Sequence, residues 1–330
     1  GVLPRYAFPL EVVALASKKP KHSRGDERFT RELLIAMLEY EPGRVIVADG
    51  EDLVVKGLVK PLLRDSDTEG DGYYLSCKHC PFFEYTHDKT SFESRYGEIA
   101  NGDTTCPRCH EAIEGRFKRR YLRPRVFYYD YAANAAHEGS PLHSPLITGT
   151  VKTFVPELAE TPLTPVADRL EHRLVANAVV FIVNRGRGPY GFRFTRDRRY
   201  VVQVSEKAEE PHTFRADLAF VLKTDAFELC ESTIGGELER FLRHRITGVS
   251  LTTALHQGTA IALEVDPRDV GLETLNRPDR RRSIAFFDTA PGGSGTVRQL
   301  ADPKKLRDVF LAARDIVSGC RCRETAACYD

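Results

Sequence analysis

Two short spacings constrain this chain more than anything else in it: Cys77-Lys78-His79-Cys80 and Cys106-Pro107-Arg108-Cys109. A pair of Cys-x-x-Cys knuckles can place four thiolates tetrahedrally around Zn²⁺ at about 2.3 Å, the closed arrangement of a structural site with no open position for water. The intervening segment is longer than in the usual ribbon and has room for a hairpin or a loop. A thiol-disulfide redox pair is the rival reading, and two pairs, one of them enclosing Pro107-Arg108, speak against it. His79, His87 and His110 lie close by and are either substitute ligands or solvent-facing neighbours.

The remaining thiols are Cys230, Cys320, Cys322 and Cys328, so seven of the eight cysteines fall in two groups. Gly1 to Leu15 lacks the charged start and long apolar stretch of a signal peptide, and no apolar run approaches the ~20 residues that span a bilayer. The expectation is a soluble, cytoplasmic chain with no membrane association, whose clustered thiols are metal ligands and not disulfides. Cys320, Cys322 and Cys328 read as a second thiolate site lacking one ligand, or as a frayed end with reactive thiols. The chain stops at Asp330, one residue short of completing a further Cys-x-x-Cys. Cys230, on a strand-like run, reads as a buried free thiol.

Net charge is +1 from 48 basic and 47 acidic residues, so any nucleic-acid surface must be local. The run "GRFKRRYLRPRVFYYDY" interleaves Arg116, Lys118, Arg119, Arg120, Arg123 and Arg125 with Phe117, Tyr121 and Phe127. Phosphate contact plus base stacking would use this mixture, and a solvated face would look the same. "PGGSG", Pro291 to Gly295, could cradle an anion on its amides or serve as a tight turn. It lacks the Lys-Ser/Thr ending of a P-loop, and no catalytic constellation stands out.

Periodicity predicts an α+β fold, a zinc-ribbon insert plus a mixed β-sheet with packed helices. The expected organisation is an N-terminal α/β segment over 1–70, the zinc ribbon and basic/aromatic segment over 71–135, a connector over 136–170, and a zinc-binding C-terminal α+β domain over 171–330. "RVIVADGEDLVVKGLV" predicts a hairpin and "FTRELLIAMLEYEPG" a helix. A long helix is expected after Gly235-Gly236, followed by the strand "SIAFFD". A last helix is expected with Asp302 as N-cap, Pro303 at its first position, and Leu306, Val309, Phe310, Ala313, Ile316 and Val317 on one face.

The stretches "LPRYAFPLEVV", "LEYEPGRVIVADG", "LKTDAFEL", "SLTTALHQGTAIAL", "FFDTAPGGSGTVRQL" and "CRCRETAACYD" resemble, in that order, the C-terminal region of bacterial superfamily 2 helicases with the mitomycin repair factor A-type zinc-binding domain. They also resemble the non-motor B subunit of the DISARM phage-defence system and helicases of islands such as Druantia. The resemblance implies a four-cysteine site from Cys320, Cys322 and Cys328, with the fourth ligand just beyond Asp330, and matches the earlier ribbon to Cys77, Cys80, Cys106 and Cys109. Where many relatives carry another Cys-x-x-Cys, this chain has Thr195 and Arg198. The implied function is a non-catalytic, zinc-binding, DNA-associated accessory region of an ATP-dependent helicase in defence or repair, its motor in the same polypeptide or on a partner subunit. The alternative is a zinc-stabilised scaffold that docks a separate helicase without touching DNA.

Overall fold

The structure, a computed structural model, describes residues 11–17, 29–48, 50–59, 70–99, 101–131, 151–159, 161–167, 169–186, 190–197, 200–204, 212–233, 235–277 and 281–319. Among the described residues the first elements are β1 (Val12–Ser17) and β2 (Phe29–Glu32), which pair antiparallel, and α1 (Leu33–Glu39) follows β2 directly. Leu33, Ala36 and Met37 form the buried face of α1. The expected hairpin is present as β3 (Val45–Ala48) and β4 (Glu51–Val59), with Val45 opposite Val54.

The cysteine-bearing insert contains β5 (Gly72–Ser76), β6 (Phe83–Thr86), α2 (Lys89–Tyr96), the short β7 (Thr104–Thr105) and β8 (Ala112–Ile113), and β9 (Lys118–Leu122). β10 (Val126–Tyr131) then returns to run parallel to β1. Farther on come β11 (Val151–Phe154), β12 (Thr164–Ala167), β13 (Leu170–Asn184), β14 (Phe192–Asp197), β15 (Tyr200–Gln203) and β16 (Phe214–Glu231). The last part comprises α3 (Glu237–Arg243), α4 (Arg245–Leu263), β17 (Val270–Asn276), β18 (Arg282–Asp288) and α5 (Pro303–Gly319). Among the described residues the fold is α+β: sixteen strands join one mixed sheet, β7 and β8 form a separate pair, and five α-helices are present.

β16 is the spine. Its start pairs with β14, residues 217–218 run parallel to β9, and its remainder pairs along nearly the whole of β13. Because apolar clusters cover both faces, its side chains are buried almost without alternation. One cluster packs α1, β1, β4, β10 and β14 around Leu15, Met37, Phe127 and Phe194; the other packs α3, α4 and α5 around Phe227, Phe286 and Val309. Asn184 Nδ2 ties the first layer down by donating to Met37 O at 2.8 Å. A bulge between Val175 and Ala178 places Asn177 at φ 54°, a conformation asparagine tolerates well, and its amide donates to Asp225 Oδ1 at 3.1 Å.

Two expectations needed correction. The long helix after Gly236 is two helices, because His244 is extended (φ −86°, ψ 121°) and interrupts the hydrogen-bond ladder. Arg282 Nη1 satisfies the carbonyl of Leu242 at 2.7 Å, which makes the break tolerable. β17 also intervenes before "SIAFFD"; its half-buried, polar-rich sequence lacks the apolar alternation that announces a strand. The last helix begins as expected, with Asp302 Oδ1 accepting from Lys304 N at 2.9 Å. Its apolar face is buried at Leu306, Val309 and Ala313, whereas Ile316 and Val317 are exposed. A Cβ on Gly258 would lie 2.8 Å from both Val309 O and Ala313 N, so glycine lets α4 cross α5 this closely.

Candidate metal centre

The first knuckle is the turn of the β5–β6 hairpin, closed by Cys77 N donating to Phe82 O at 3.0 Å. The second is the turn of the β7–β8 pair, where Cys106 N donates to Glu111 O at 2.9 Å and His110 N to Cys106 O at 3.0 Å. Facing turns bring the four sulfurs within 4.8 Å of one another. Cys77 Sγ lies 3.7 Å from Cys109 Sγ, and Cys80 Sγ lies 3.6 Å from Cys106 Sγ. These spacings match the edge of about 3.8 Å that a tetrahedron with Zn–S bonds of about 2.3 Å requires. All four thiols are free, and the donor set is all sulfur, which suits Zn²⁺.

Burial pushes the Cys77 and Cys80 thiols up, and backbone amides partly oppose it. The His79 amide, for one, donates to Cys77 Sγ at 3.3 Å. Cys109 is less buried, and the Glu111 amide together with the neighbouring thiols holds it below its ordinary value. A divalent cation at the centre would draw these sulfurs into the thiolate form. The histidines are not in the cluster: His87 Nδ1 sits 2.7 Å from Asp71 O, and the ligand group comprises cysteines alone.

A small apolar cluster backs the knuckles, with Leu75, Phe92, Tyr96 and Ile113 packed against three of the cysteines. α2 is started by Asp88, whose carboxylate accepts from Thr90 N at 2.9 Å, and is fixed to β6 by bonds from Arg95 and Tyr96 to Glu84. β9 pairs antiparallel with β5 and parallel with β16, stitching the ribbon into the main sheet.

That role turns part of the basic run inward. Lys118 is 1 % exposed, and its Nζ donates to Tyr96 O at 3.0 Å and to Asn101 O. Arg119 is 8 % exposed and grips Asp217 with both Nε and Nη2 at 2.5 Å. Tyr74 Oη donates to the same carboxylate at 2.6 Å, and burial with the nearby Asp217 charge pushes its phenol far up. Neither Lys118 nor Arg119 therefore presents its charge to a phosphate. Arg120 is half-buried with its guanidinium 4.6 Å from the centre of the Phe214 ring, and Arg123 is half-buried and bonded to Glu11 at 2.6 Å. Arg116 and Arg125 are exposed, Arg116 beside Glu114 at 2.8 Å.

The sequence reading missed Asp217 and Tyr74; an aspartate inside the apolar run "FRADLAF" is the signal that could have found them. A residue with a Cβ could not stand at Gly191, where φ is 76° and the added atom would lie 2.3 Å from Asp217 Oδ1. The amides of "PGGSG" are committed to the chain itself: Gly292 N donates to Lys223 O at 2.7 Å and Gly293 N to Ala290 O at 3.0 Å, Ser294 N and Gly295 N donate to Asp288 Oδ2 at 2.8 Å, and the following Val297 N donates to Oδ1 at 3.0 Å. Cys230 is fully buried, 3.0 Å from Arg277 Nη1, and burial pushes its thiol up to about 11. Thr195 sits on β14 opposite Val202. Cys320, Cys322, Cys328 and Arg198 lie outside the described residues. Among the described residues no helix is long and apolar enough to cross a membrane.

Residues 251–330 match the family model of the MrfA Zn-binding domain. No curated protein matches the chain. Among solved structures, the DUF1998 helicase MrfA bound to DNA is 13 % identical, with a TM-score of 0.42 over 96 % of this chain and 30 % of that one. The same helicase without DNA is 11 % identical, with a TM-score of 0.37 over 96 % and 32 %. With DNA and AMPPNP the identity is 11 % and the TM-score 0.34 over 96 % and 29 %. The chain thus spans less than a third of the length of these helicases. Its C-terminal part is similar to the zinc-binding region of a helicase.

Proposed function

We propose that this chain is a zinc-stabilised, non-catalytic accessory region that associates with DNA and serves an ATP-dependent DNA helicase in the cytoplasm, in anti-phage defence or repair. The match of residues 251–330 to the MrfA Zn-binding domain carries this reading. The four-cysteine cluster supports it, supplying a rigid lobe and no open coordination position for chemistry. Cys320, Cys322 and Cys328 fall within the matched segment and are proposed to hold a second Zn²⁺. The motor lies in the same polypeptide or on a partner subunit, and this chain is proposed to divide into the segments 1–70, 71–135, 136–170 and 171–330.

The DNA contact on the basic run is assigned to Arg116 and Arg125, with Arg120 and Arg123 at its edge, since Lys118 and Arg119 face inward. Binding of a labelled single strand across a salt series tests it. The slope of log affinity against log salt is expected to flatten by roughly 0.7 for each phosphate contact removed in Arg116→Gln and Arg125→Gln. A slope that both variants leave unchanged rejects that surface.

A second reading, a scaffold that docks a separate helicase without touching DNA, is favoured by one observation. Phe241, Val249, Ile261, Ile316 and Val317 leave apolar surface exposed on α3, α4 and α5. It predicts negligible affinity for DNA at every salt concentration and salt-insensitive capture of the motor subunit.

A further inference from the structure

Between the first knuckle, β11 and β17 lies a cleft of about 230 Å³, walled by Phe82, Phe117 and Phe154 and also lined by Lys152, Arg185 and Glu273. Its cations are incompletely matched. Arg185 Nε donates to Tyr74 Oη at 3.0 Å and its guanidinium lies 5.7 Å from the Phe154 ring centre. Arg185 Nη2, however, is buried with no hydrogen-bond partner among the described residues. An unsatisfied N–H on a charged group in such a place calls for an acceptor. Lys152 lies near enough that burial and the Arg185 charge together hold its ammonium below the ordinary value. Glu273 is the one carboxylate of the lining, and it is already occupied by the amides of Thr153 and Thr274. The third cation of the lining, Lys78, is paired with Glu114 at 2.8 Å, and the sulfurs of Cys77 and Cys80 are committed to the four-cysteine cluster.

Two neighbouring cations with one orphaned donor suit an anion with several acceptor oxygens, and the aromatic walls suit a flat ring beside it. A phosphate joined to a base meets both demands, whereas an inorganic ion leaves the apolar walls unfilled. We infer that this cleft is a binding site for one nucleotide unit, its phosphate between Lys152 and Arg185 and its base against Phe82, Phe117 or Phe154. The site rests on the DNA-associated reading above and uses none of the basic residues at 116–125. The unit comes either from a single strand or from a free nucleotide.

The test uses the full zinc-loaded chain, with anisotropy of labelled (dT)12 and calorimetric titration with dTMP. Lys152→Glu leads because Lys152 keeps much of its side-chain surface open to solvent even though the cleft shields its ammonium; Arg185→Gln accompanies it, and Lys304→Gln, exposed on α5 and outside the cleft lining, is the control. The expected result is a loss of about tenfold or more in (dT)12 affinity for Lys152→Glu and Arg185→Gln, and a change within about twofold for Lys304→Gln. Competition by dTMP would show that the site accepts the free nucleotide as well; binding of (dT)12 without it would assign the site to a strand. If (dT)12 binds and Lys152→Glu matches the parent chain, the cleft is not the site and the DNA reading stands. If dTMP alone binds, sensitive to Lys152→Glu, the site stands and the DNA reading fails. If the parent chain binds neither probe, both fail.

Discussion

The ribbon and the C-terminal helical lobe solve the same problem by different means. In the ribbon, three of the seven buried residues of the cluster are cysteines, so little apolar surface remains to hold it once the sulfurs lose their metal. In the lobe, fourteen buried apolar residues from β16, β17, β18 and the helical segments pack together, and the loop at Pro291 to Gly295 is held by Asp288. The contrast teaches that buried anions organise both regions, but with different counter-charges. Thiolates need a cation from outside, whereas Asp288 uses backbone amides and Asp217 uses Arg119.

The largest effect should come from removing the metal. Chelation, or Cys80→Ser with Cys106→Ser, is expected to abolish hydrogen-exchange protection at residues 75–113, a loss on the order of 10 kcal/mol for the ribbon. The amides of α4 and α5 should stay protected. Loss of protection in both regions together would break the comparison, making ribbon and lobe one cooperative unit.

Next in size is the ion pair that ties the ribbon, through β9, to the main sheet at β16. Arg119→Ala strands Asp217, which is fully buried, and should cost about 3–5 kcal/mol in urea unfolding. Arg119→Met combined with Asp217→Leu should recover most of that loss. A cost below about 1 kcal/mol for the single change would mean that water reaches the carboxylate.

Much of this was legible in the sequence. Cysteine spacing announced the ribbon, Val-rich runs announced the β3–β4 hairpin, and Asp302-Pro303 marked the start of α5. The split at His244 was not legible, because it depends on Arg282 reaching across from β18. Nor was the inward turn of Lys118 and Arg119, since a local run of basic residues does not reveal that Tyr96, Asn101 and Asp217 will stand opposite them. Local chemistry was readable, and pairing between distant segments was not.

Glu273 sharpens the comparison at the border of the two regions. Burial raises its carboxyl from 4.5 to about 7, against the opposing pull of the Thr274 and Thr153 amides and Lys152. The folded state thus holds an extra proton between those values, and stability should fall as pH rises from about 4.5 to 7. With partial exposure allowed for, the loss should be about 2 kcal/mol. Glu273→Gln should flatten that slope in thermal melts and leave the chain more stable at pH 8; an unaltered slope would show that other groups set it. The smallest expected change is Arg120→Gln, which removes the contact with Phe214 and should cost about 0.5–1 kcal/mol in the same melts.

Zinc analysis of the native chain, combined with X-ray absorption at the zinc edge, bears most directly on the ribbon. The expected result is zinc surrounded by four sulfurs at about 2.3 Å, with one equivalent lost in the Cys80→Ser, Cys106→Ser double variant. Native, folded protein that contains no zinc and whose Cys77, Cys80, Cys106 and Cys109 all react at once with a thiol reagent would contradict the account.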